Sequence, residues 1–281
     1  MLPNILTQKI IRYFQMEISH VFNMGNRTKI TLQNKQILFA KWGSHFPKGT
    51  FSAEAHGLKL LEKAHGLQIP HVHFYSDDFI VMDWFGGGKS NQPHVAKALG
   101  EGLAKQHHYL GQTYGLEIDN FCGLTPQKNT PNADWVAFFG TMRLGFQMEL
   151  AEKQGRMPTH RRRKLEKLIA KLPDLLPANP SISLLHGDLW GGNWLTTDDG
   201  QPALIDPAAY YGHRESDLAF TEVFGGFPSG FYDAYQASWA LESGYHHERK
   251  HIYNLYHLLN HLNLFGESYG HGVDSILKRF G

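Results

Sequence analysis

Short apolar runs crowd the first part of the chain, and long helical spacings take over later. Ile30-Thr31-Leu32 and Ile37-Leu38-Phe39-Ala40 flank the polar run Gln33-Asn34-Lys35-Gln36, which predicts a β-hairpin with Lys41 at the end of its second strand. From Ser52 to Ala64, the pairs Leu58 with Leu61 and Leu60 with Ala64 draw an apolar helical stripe, and Ser52 is placed to cap it. One turn back from Leu58, Glu54 falls on the buried side, where a carboxylate needs a cation. A second hairpin is predicted over 71–82 around Ser76-Asp77-Asp78. It runs into Asp83-Trp84-Phe85-Gly86-Gly87-Gly88, whose glycines mark a flexible boundary between a first unit, residues 1–85, and a second, residues 86–281.

Beyond that boundary, apolar spacing predicts helices over 95–110 and 135–150, the second capped by Asp134 and stopped at Gly155. Another follows Arg161-Arg162-Arg163-Lys164, with Leu165, Leu168, Ile169 and Leu172 on one face. A fourth spans 249–265, with Ile252, Leu255, Leu259 and Leu262 in register, and ends before Gly266. Between them, residues 182–185 read as a strand entering a loop and Trp194-Leu195-Thr196 as a strand leaving it. The turn Thr197-Asp198-Asp199-Gly200 then sends the chain back through Pro202-Ala203-Leu204-Ile205.

Composition removes several alternatives. With 281 residues, 42% hydrophobic and 19% charged, the chain can bury a sizeable core without a partner. A net charge of +1 provides no field for gathering nucleic acid or an anionic membrane, and the cluster at 161–164 reads as the solvated start of its helix. No apolar run approaches membrane-spanning length and the N-terminus lacks a signal-peptide pattern, so a reducing, cytoplasmic setting is expected. The single cysteine, Cys122, permits no intramolecular disulfide and reads as a small buried hydrophobe.

The run Leu185-His186-Gly187-Asp188-Leu189-Trp190-Gly191-Gly192-Asn193 carries the chemistry. The two arms of the hairpin that follows are of similar length, so Asn193 at one mouth and Asp206 at the other should meet and face Asp188. One amide and two carboxylates form an all-oxygen set, which suits Mg²⁺ better than zinc. In outline the run is H-G-D-L-x-x-x-N, the logic of a kinase catalytic loop. Asp188 would then orient and deprotonate an acceptor hydroxyl, with Asn193 and Asp206 holding Mg²⁺ on the phosphates of ATP. Lys41, steadied by Glu54, would reach the same phosphates. Only Val21-Phe22-Asn23-Met24-Gly25-Asn26-Arg27 lies where a glycine-rich phosphate cover is expected, with one glycine in it.

These residues resemble the fructosamine kinases, or ketosamine 3-kinases, of the aminoglycoside-phosphotransferase and protein-kinase-like superfamily. The resemblance rests on Leu185 to Asn193 (LHGDLWGGN), Ala203 to Asp217 (ALIDPAAYYGHRESD), Thr221 to Pro228 (TEVFGGFP), Asn120 to Asn129 (NFCGLTPQKN) and Tyr256 to Gly266 (YHLLNHLNLFG). It implies an α+β, protein-kinase-like two-lobed fold, with a small mainly β N-lobe carrying one helix and a larger mainly α C-lobe. It also implies ATP-dependent phosphorylation of the 3-hydroxyl of a fructosyl or ribulosyl group on an amine, followed by deglycation. The partners implied are glycated amines or glycated proteins, and the protein is expected to be a monomer.

Residue by residue, the resemblance makes Asp188 the base, Asn193 and Asp206 the metal ligands, and Lys41 with Glu54 the phosphate clamp. Met82, Asp83 and Trp84 become the segment beside adenine, and Asp217 a structural brace for the catalytic-loop backbone. Trp190, Tyr211, His213 and Arg214 become candidate substrate-side groups, with core packing as the alternative for each. Outside this set, His257 and His261 at i, i+4 lack an evident third metal ligand and read as hydrogen-bonded helix histidines. Rival functions are a kinase of the same fold acting on choline or an aminoglycoside, and a non-catalytic nucleotide-binding module. A metallophosphatase would need an Asp-x-His pair upstream, and none precedes Asp188.

Overall fold

The computed structural model describes residues 2–281. The chain opens with helix α1 (Asn4–Phe14) and strands β1 (Ile18–Met24), β2 (Arg27–Leu32) and β3 (Ile37–Trp42), followed by α2 (Thr50–Ala64), β4 (Val72–Tyr75) and β5 (Phe79–Asp83). The strands form an antiparallel 5-stranded sheet in the order β1-β2-β3-β5-β4. Both of its faces are covered, which is why Phe79-Ile80-Val81-Met82 is continuously apolar instead of alternating. Phe79 and Val81 join Leu6 and Ile10 of α1 on one face, and Ile80 and Met82 join Phe51, Leu58 and Leu61 of α2 on the other. Since Leu38 and Ala40 face α1, the pleat sends the alternating positions Phe39 and Lys41 to the α2 side.

The rest of the chain is mainly helical. It contains α3 (Pro93–His107), strands β6 (Asn120–Cys122) and β7 (Thr125–Gln127), then α4 (Trp135–Phe138), α5 (Phe146–Lys153) and α6 (Thr159–Leu175). Strands β8 (Ser183–Leu185), β9 (Trp194–Thr196), β10 (Pro202–Leu204) and β11 (Tyr210–Gly212) come next, and helices α7 (Glu215–Thr221), α8 (Phe231–Ser238), α9 (Lys250–Phe265) and α10 (Gly270–Phe280) complete it. One continuous core runs from α2 through α3, Trp135 and Tyr210 to Leu255, Leu259 and Leu262 of α9. Among the described residues no helix is long and apolar enough to cross a membrane.

Several local expectations change. Ser52 is not the cap of α2: the helix begins at Thr50 after Gly49, whose φ is +87°, and the Ser52 hydroxyl donates back to the Gly49 carbonyl. The apolar stripe over 135–150 is helical, with Asp134 capping it through Ala137 N–H at 3.0 Å, but a wide π-helical segment over Phe139–Gly145 separates α4 from α5. Residues 21–27 are not a loop. Met24 and Arg27 are paired across a two-residue turn, Gly25-Asn26, so β1 and β2 form a tight hairpin. The linker glycines do not supply slack either. Gly87 N–H donates to Thr196 O at 3.0 Å and Thr196 N–H to Gly88 O at 2.6 Å. A Cβ on Gly87 would lie 2.5 Å from the Thr196 carbonyl, so glycine is needed there for close approach.

Glu215 at the start of α7 is fully buried and receives a bidentate pair from Arg249, Nε to Oε2 at 2.6 Å and Nη2 to Oε1 at 2.8 Å. Removing one member of a buried pair strands the other. Arg249→Met is therefore expected to lower unfolding free energy by about 3–5 kcal/mol. Urea denaturation should show that loss, and Arg249→Met with Glu215→Leu should restore most of it.

Candidate active site

Strand β8 pairs with β11 through Leu185 and Tyr210, and β9 pairs with β10 through Trp194 and Leu204. The loops joining β8 to β9 and β10 to β11 are thereby forced side by side. Ala208 N–H donates to His186 O at 2.9 Å, Ile205 N–H to Asn193 O at 3.0 Å, and the His186 ring bonds Ile205 O at 2.9 Å. Backbone pairing, before any side chain acts, brings 188, 193 and 206 together.

The first loop also needs a particular backbone. Gly187 has φ +80°, and a Cβ there would lie 2.1 Å from the Ala208 carbonyl oxygen. Asp217, in the first turn of α7, accepts from His186 N–H at 2.6 Å and Gly187 N–H at 2.9 Å, and meets the His107 ring at 3.2 Å. A buried carboxylate thus satisfies two loop donors that no strand partner reaches.

Asp188 sits at the bottom of a cleft of about 460 Å³, with Lys41, Glu54, Asn193 and Asp206 also on its walls. The Asn193 amide nitrogen donates to Asp188 Oδ2 at 3.1 Å and Asp188 O at 2.8 Å, and lies 3.4 Å from Asp206 O. Its Oδ1 is consequently turned away from these acceptors. Burial pushes the Asp188 carboxyl up to about 7; hydrogen bonds from Cys122 and Asn193 pull the other way, and the Asp206 charge adds to the rise. A carboxyl poised there accepts a proton better than an ordinary aspartate does.

Lys41 Nζ lies 2.7 Å from Glu54 Oε1 and 2.5 Å from Asp206 Oδ1. Burial by itself would discharge the ammonium, but the two carboxylates outweigh it and raise the Lys41 pKa. Asp206 moves oppositely: burial raises it, Lys41 and Arg27 more than compensate, and the carboxyl stays below its usual range. Burial dominates at Glu54 and leaves it raised despite Lys41. Asp206 occupies the left-handed region at φ +57°, a conformation that costs about 1–3 kcal/mol and persists where the surroundings enforce it.

Arg27, not singled out in the sequence, adds a second cation: its Nη2 is 3.2 Å from Asp206 Oδ2. The signal for it was the hairpin register, which sets Arg27 opposite Lys41. Cys122 is buried as expected, yet its Sγ lies 3.6 Å from Asp188 Oδ1, so the thiol donates to the carboxylate. No local pattern around residue 122 indicates this, since it depends on where the β6–β7 hairpin docks. Asn120 and Gln127 hold that hairpin by donating to Ala209 O and Ala208 O, while buried Arg143 donates to Asn129 and stacks 3.9 Å from the Tyr210 ring centre.

Of the four candidate substrate-side groups, Trp190 lines the cleft and is 39% exposed. The other three do not line it, a correction that follows from β11 leading into the helical core. Tyr211 packs its ring over Gly111, His213 bonds the Tyr253 hydroxyl at 2.7 Å, and Arg214 donates to Ala240 O at 2.6 Å while stacking on Trp239. Met82 is buried in the sheet core, Asp83 is held by the His73 ring at 2.9 Å, and Trp84 lies under the Lys29 ammonium. These three flank the linker instead of the Asp188 cleft. His261 bonds His257 O at 2.9 Å, whereas His257 Nδ1 is buried without a partner.

A small antiparallel sheet between two helices, α1 and α2, where one helix was expected, with α2 carrying the Glu of a Lys–Glu pair, joined to a helical part with an Asp/Asn loop, defines a phosphotransferase of the protein-kinase-like class. An ADP-bound aminoglycoside phosphotransferase shares this fold at a TM-score of 0.62 and 13% identity over 99% of this chain and 97% of its own. The chain belongs to the fructosamine kinase family, whose model matches residues 4–280. An Enterococcus faecium protein assigned by name to the ketoamine kinases is 38% identical over 260 residues, 91% of each chain. The chloroplastic protein-ribulosamine 3-kinase of Arabidopsis thaliana is 36% identical over 254 residues, 86% of this chain and 75% of that one. A solved Thermobifida fusca protein assigned by name to the fructosamine-3-kinases superposes with a TM-score of 0.90 at 29% identity, covering 98% of both chains.

Replacing Gly187 should displace the loop that carries Asp188. Gly187→Ala is expected to lower kcat by about 100-fold, the loss that accompanies a misplacement of about 1 Å. Steady-state kinetics, with circular dichroism to establish folding, will check it.

Proposed function

We propose that the protein is an ATP-dependent ketosamine 3-kinase, transferring the γ-phosphoryl group to the 3-hydroxyl of a fructosyl or ribulosyl group on an amine and so promoting deglycation. The observation that carries this reading is the convergence of Lys41, Glu54, Asp188, Asn193 and Asp206 on one cleft. Membership of the fructosamine kinase family supports the choice of acceptor.

In this reading Asp188 accepts the proton of the acceptor hydroxyl, with Asn193 fixing its carboxylate and Asp217 fixing the loop behind it. Lys41, oriented by Glu54, contacts the nucleotide phosphates. Arg27 lies on the same side and adds positive charge where the tight Gly25-Asn26 turn offers few backbone donors. The adenine would rest beside Met82, Asp83 and Trp84, between an N-lobe of residues 1–85 and a C-lobe of 86–281. Trp190 offers an aromatic face to the sugar at the cleft mouth. The carrier would be a free or protein-linked amine, met by a monomer in the cytoplasm.

The donor set also fits Mg²⁺. Asp206 and the outward Asn193 Oδ1 are hard oxygen donors, and Asp206 already attracts two cationic side chains. Bound there, the ion would neutralise charge on the phosphates.

With ATP, Mg²⁺ and ribulosyl-lysine or fructosyl-lysine, the protein is expected to form ADP and a sugar 3-phosphate, the latter visible by phosphorus NMR. Failure to turn over any ketoamine, while choline or an aminoglycoside is phosphorylated, would overturn the acceptor assignment. Asp188→Asn is expected to lower kcat by about 10²–10⁴-fold, the usual worth of a general base. ATP affinity measured by calorimetry should change little.

A further inference from the structure

Behind Asp188, on the side away from Asn193 and Asp206, lies a group of a different chemical character. One ligating atom each from Cys122, Asp188 and His257 lies within 4.8 Å of the others. Cys122 lines the cleft, so the group communicates with the space where substrate is expected. His257 is 4% exposed, stacks flat on Phe220 with ring centres 3.5 Å apart, and leaves its Nδ1 without a hydrogen-bond partner. A buried imidazole nitrogen without a hydrogen bond is unfavourable and seeks a partner. Burial also keeps the ring in its neutral, ligating form.

We infer that Cys122, His257 and Asp188 form an inhibitory site for a thiophilic divalent cation such as Zn²⁺. Sulfur, imidazole and carboxylate are the donor types zinc takes, whereas the Asn193 and Asp206 oxygens suit a harder ion. Zinc–ligand bonds of about 2.0–2.3 Å place tetrahedral ligands about 3.5 Å apart, so the trio must close by about an ångström. Cys122 and Asp188 line the cleft, so a fourth ligand would come from solvent there. On binding, the Cys122 thiol releases its proton to solvent as the S–Zn bond forms, and Asn260, which donates to Sγ at 3.3 Å, swings aside. Asp188, engaged by the cation, can no longer accept the proton of an acceptor hydroxyl. The inhibitory consequence rests on the kinase reading above; the binding site does not.

Cobalt(II) separates the two. Cys122 is the only cysteine in the chain, so a thiolate-to-cobalt charge-transfer band can arise nowhere else. Titrating the nucleotide-free wild-type protein with Co²⁺ is expected to produce that near-ultraviolet band, and Zn²⁺ should bleach it. Its absence overturns the site whatever the enzyme phosphorylates. In turnover at fixed Mg²⁺ and ATP, Zn²⁺ should inhibit the wild type at concentrations about 10-fold or more below those needed for Cys122→Ser or His257→Gln, each scored against its own zinc-free rate. Equal sensitivity in all three proteins would mean that zinc acts at the Asn193 and Asp206 oxygens, and the proposal would fall.

Discussion

A single buried ammonium ties the sheet to the loops. Lys41 reaches from β3 to Glu54 on α2 and to Asp206 between β10 and β11, elements far apart in sequence. None of the three groups is stable in that setting alone, because each is a charge largely removed from water. Their mutual pairing makes the approach of the two parts of the chain electrostatically tolerable, and it leaves positive and negative charge facing a common cleft. Arg27 at the rim extends the same pairing outward. A nucleotide phosphate entering this space meets cations already oriented, so little reorganisation is needed at the moment of transfer.

The chemistry is borne by loops, yet the loops are held as firmly as strands. Two short antiparallel pairings set their register, Asp217 captures two backbone donors, and the β6–β7 hairpin is pinned beneath them by Asn120, Gln127 and Arg143. Left-handed backbone at Asp206 is the conformational cost of this arrangement, while glycine at 187 adopts the same region without strain. Such a scaffold explains why polar side chains such as Asn120, Gln127 and Asp217 are buried: they satisfy loop backbone that regular secondary structure would otherwise have satisfied. Near Asp188, the Nδ1 of buried His257 is left without a partner, on the thiol-bearing side of the site.

Much of this was legible in the residues. Period-two and period-3.6 apolar spacing found the β2–β3 and β4–β5 hairpins, α2, α3, α6 and α9, because those patterns report which face each element buries. Turn chemistry at 197–200 predicted that Asn193 and Asp206 would meet, since equal hairpin arms leave no other geometry. Glu54 demanded a cation by its place on an apolar stripe. Helices α1, α7, α8 and α10 went unread. The glycine linker reads as slack in the sequence but is a seam in the fold, because glycine looks the same whether it serves freedom or close contact.

What the chain determined locally was therefore the elements, the catalytic loop and its oxygen donors, each specified by neighbours within a few residues. Tertiary structure alone decided that Arg27 joins Asp206, that Cys122 lies under Asp188, that His213 and Arg214 turn into the core, and that Tyr211 packs over Gly111 at its edge. Those outcomes depend on how a hairpin docks and which way a strand exits. Such packing choices are made by contacts between distant segments, and no window of sequence contains them.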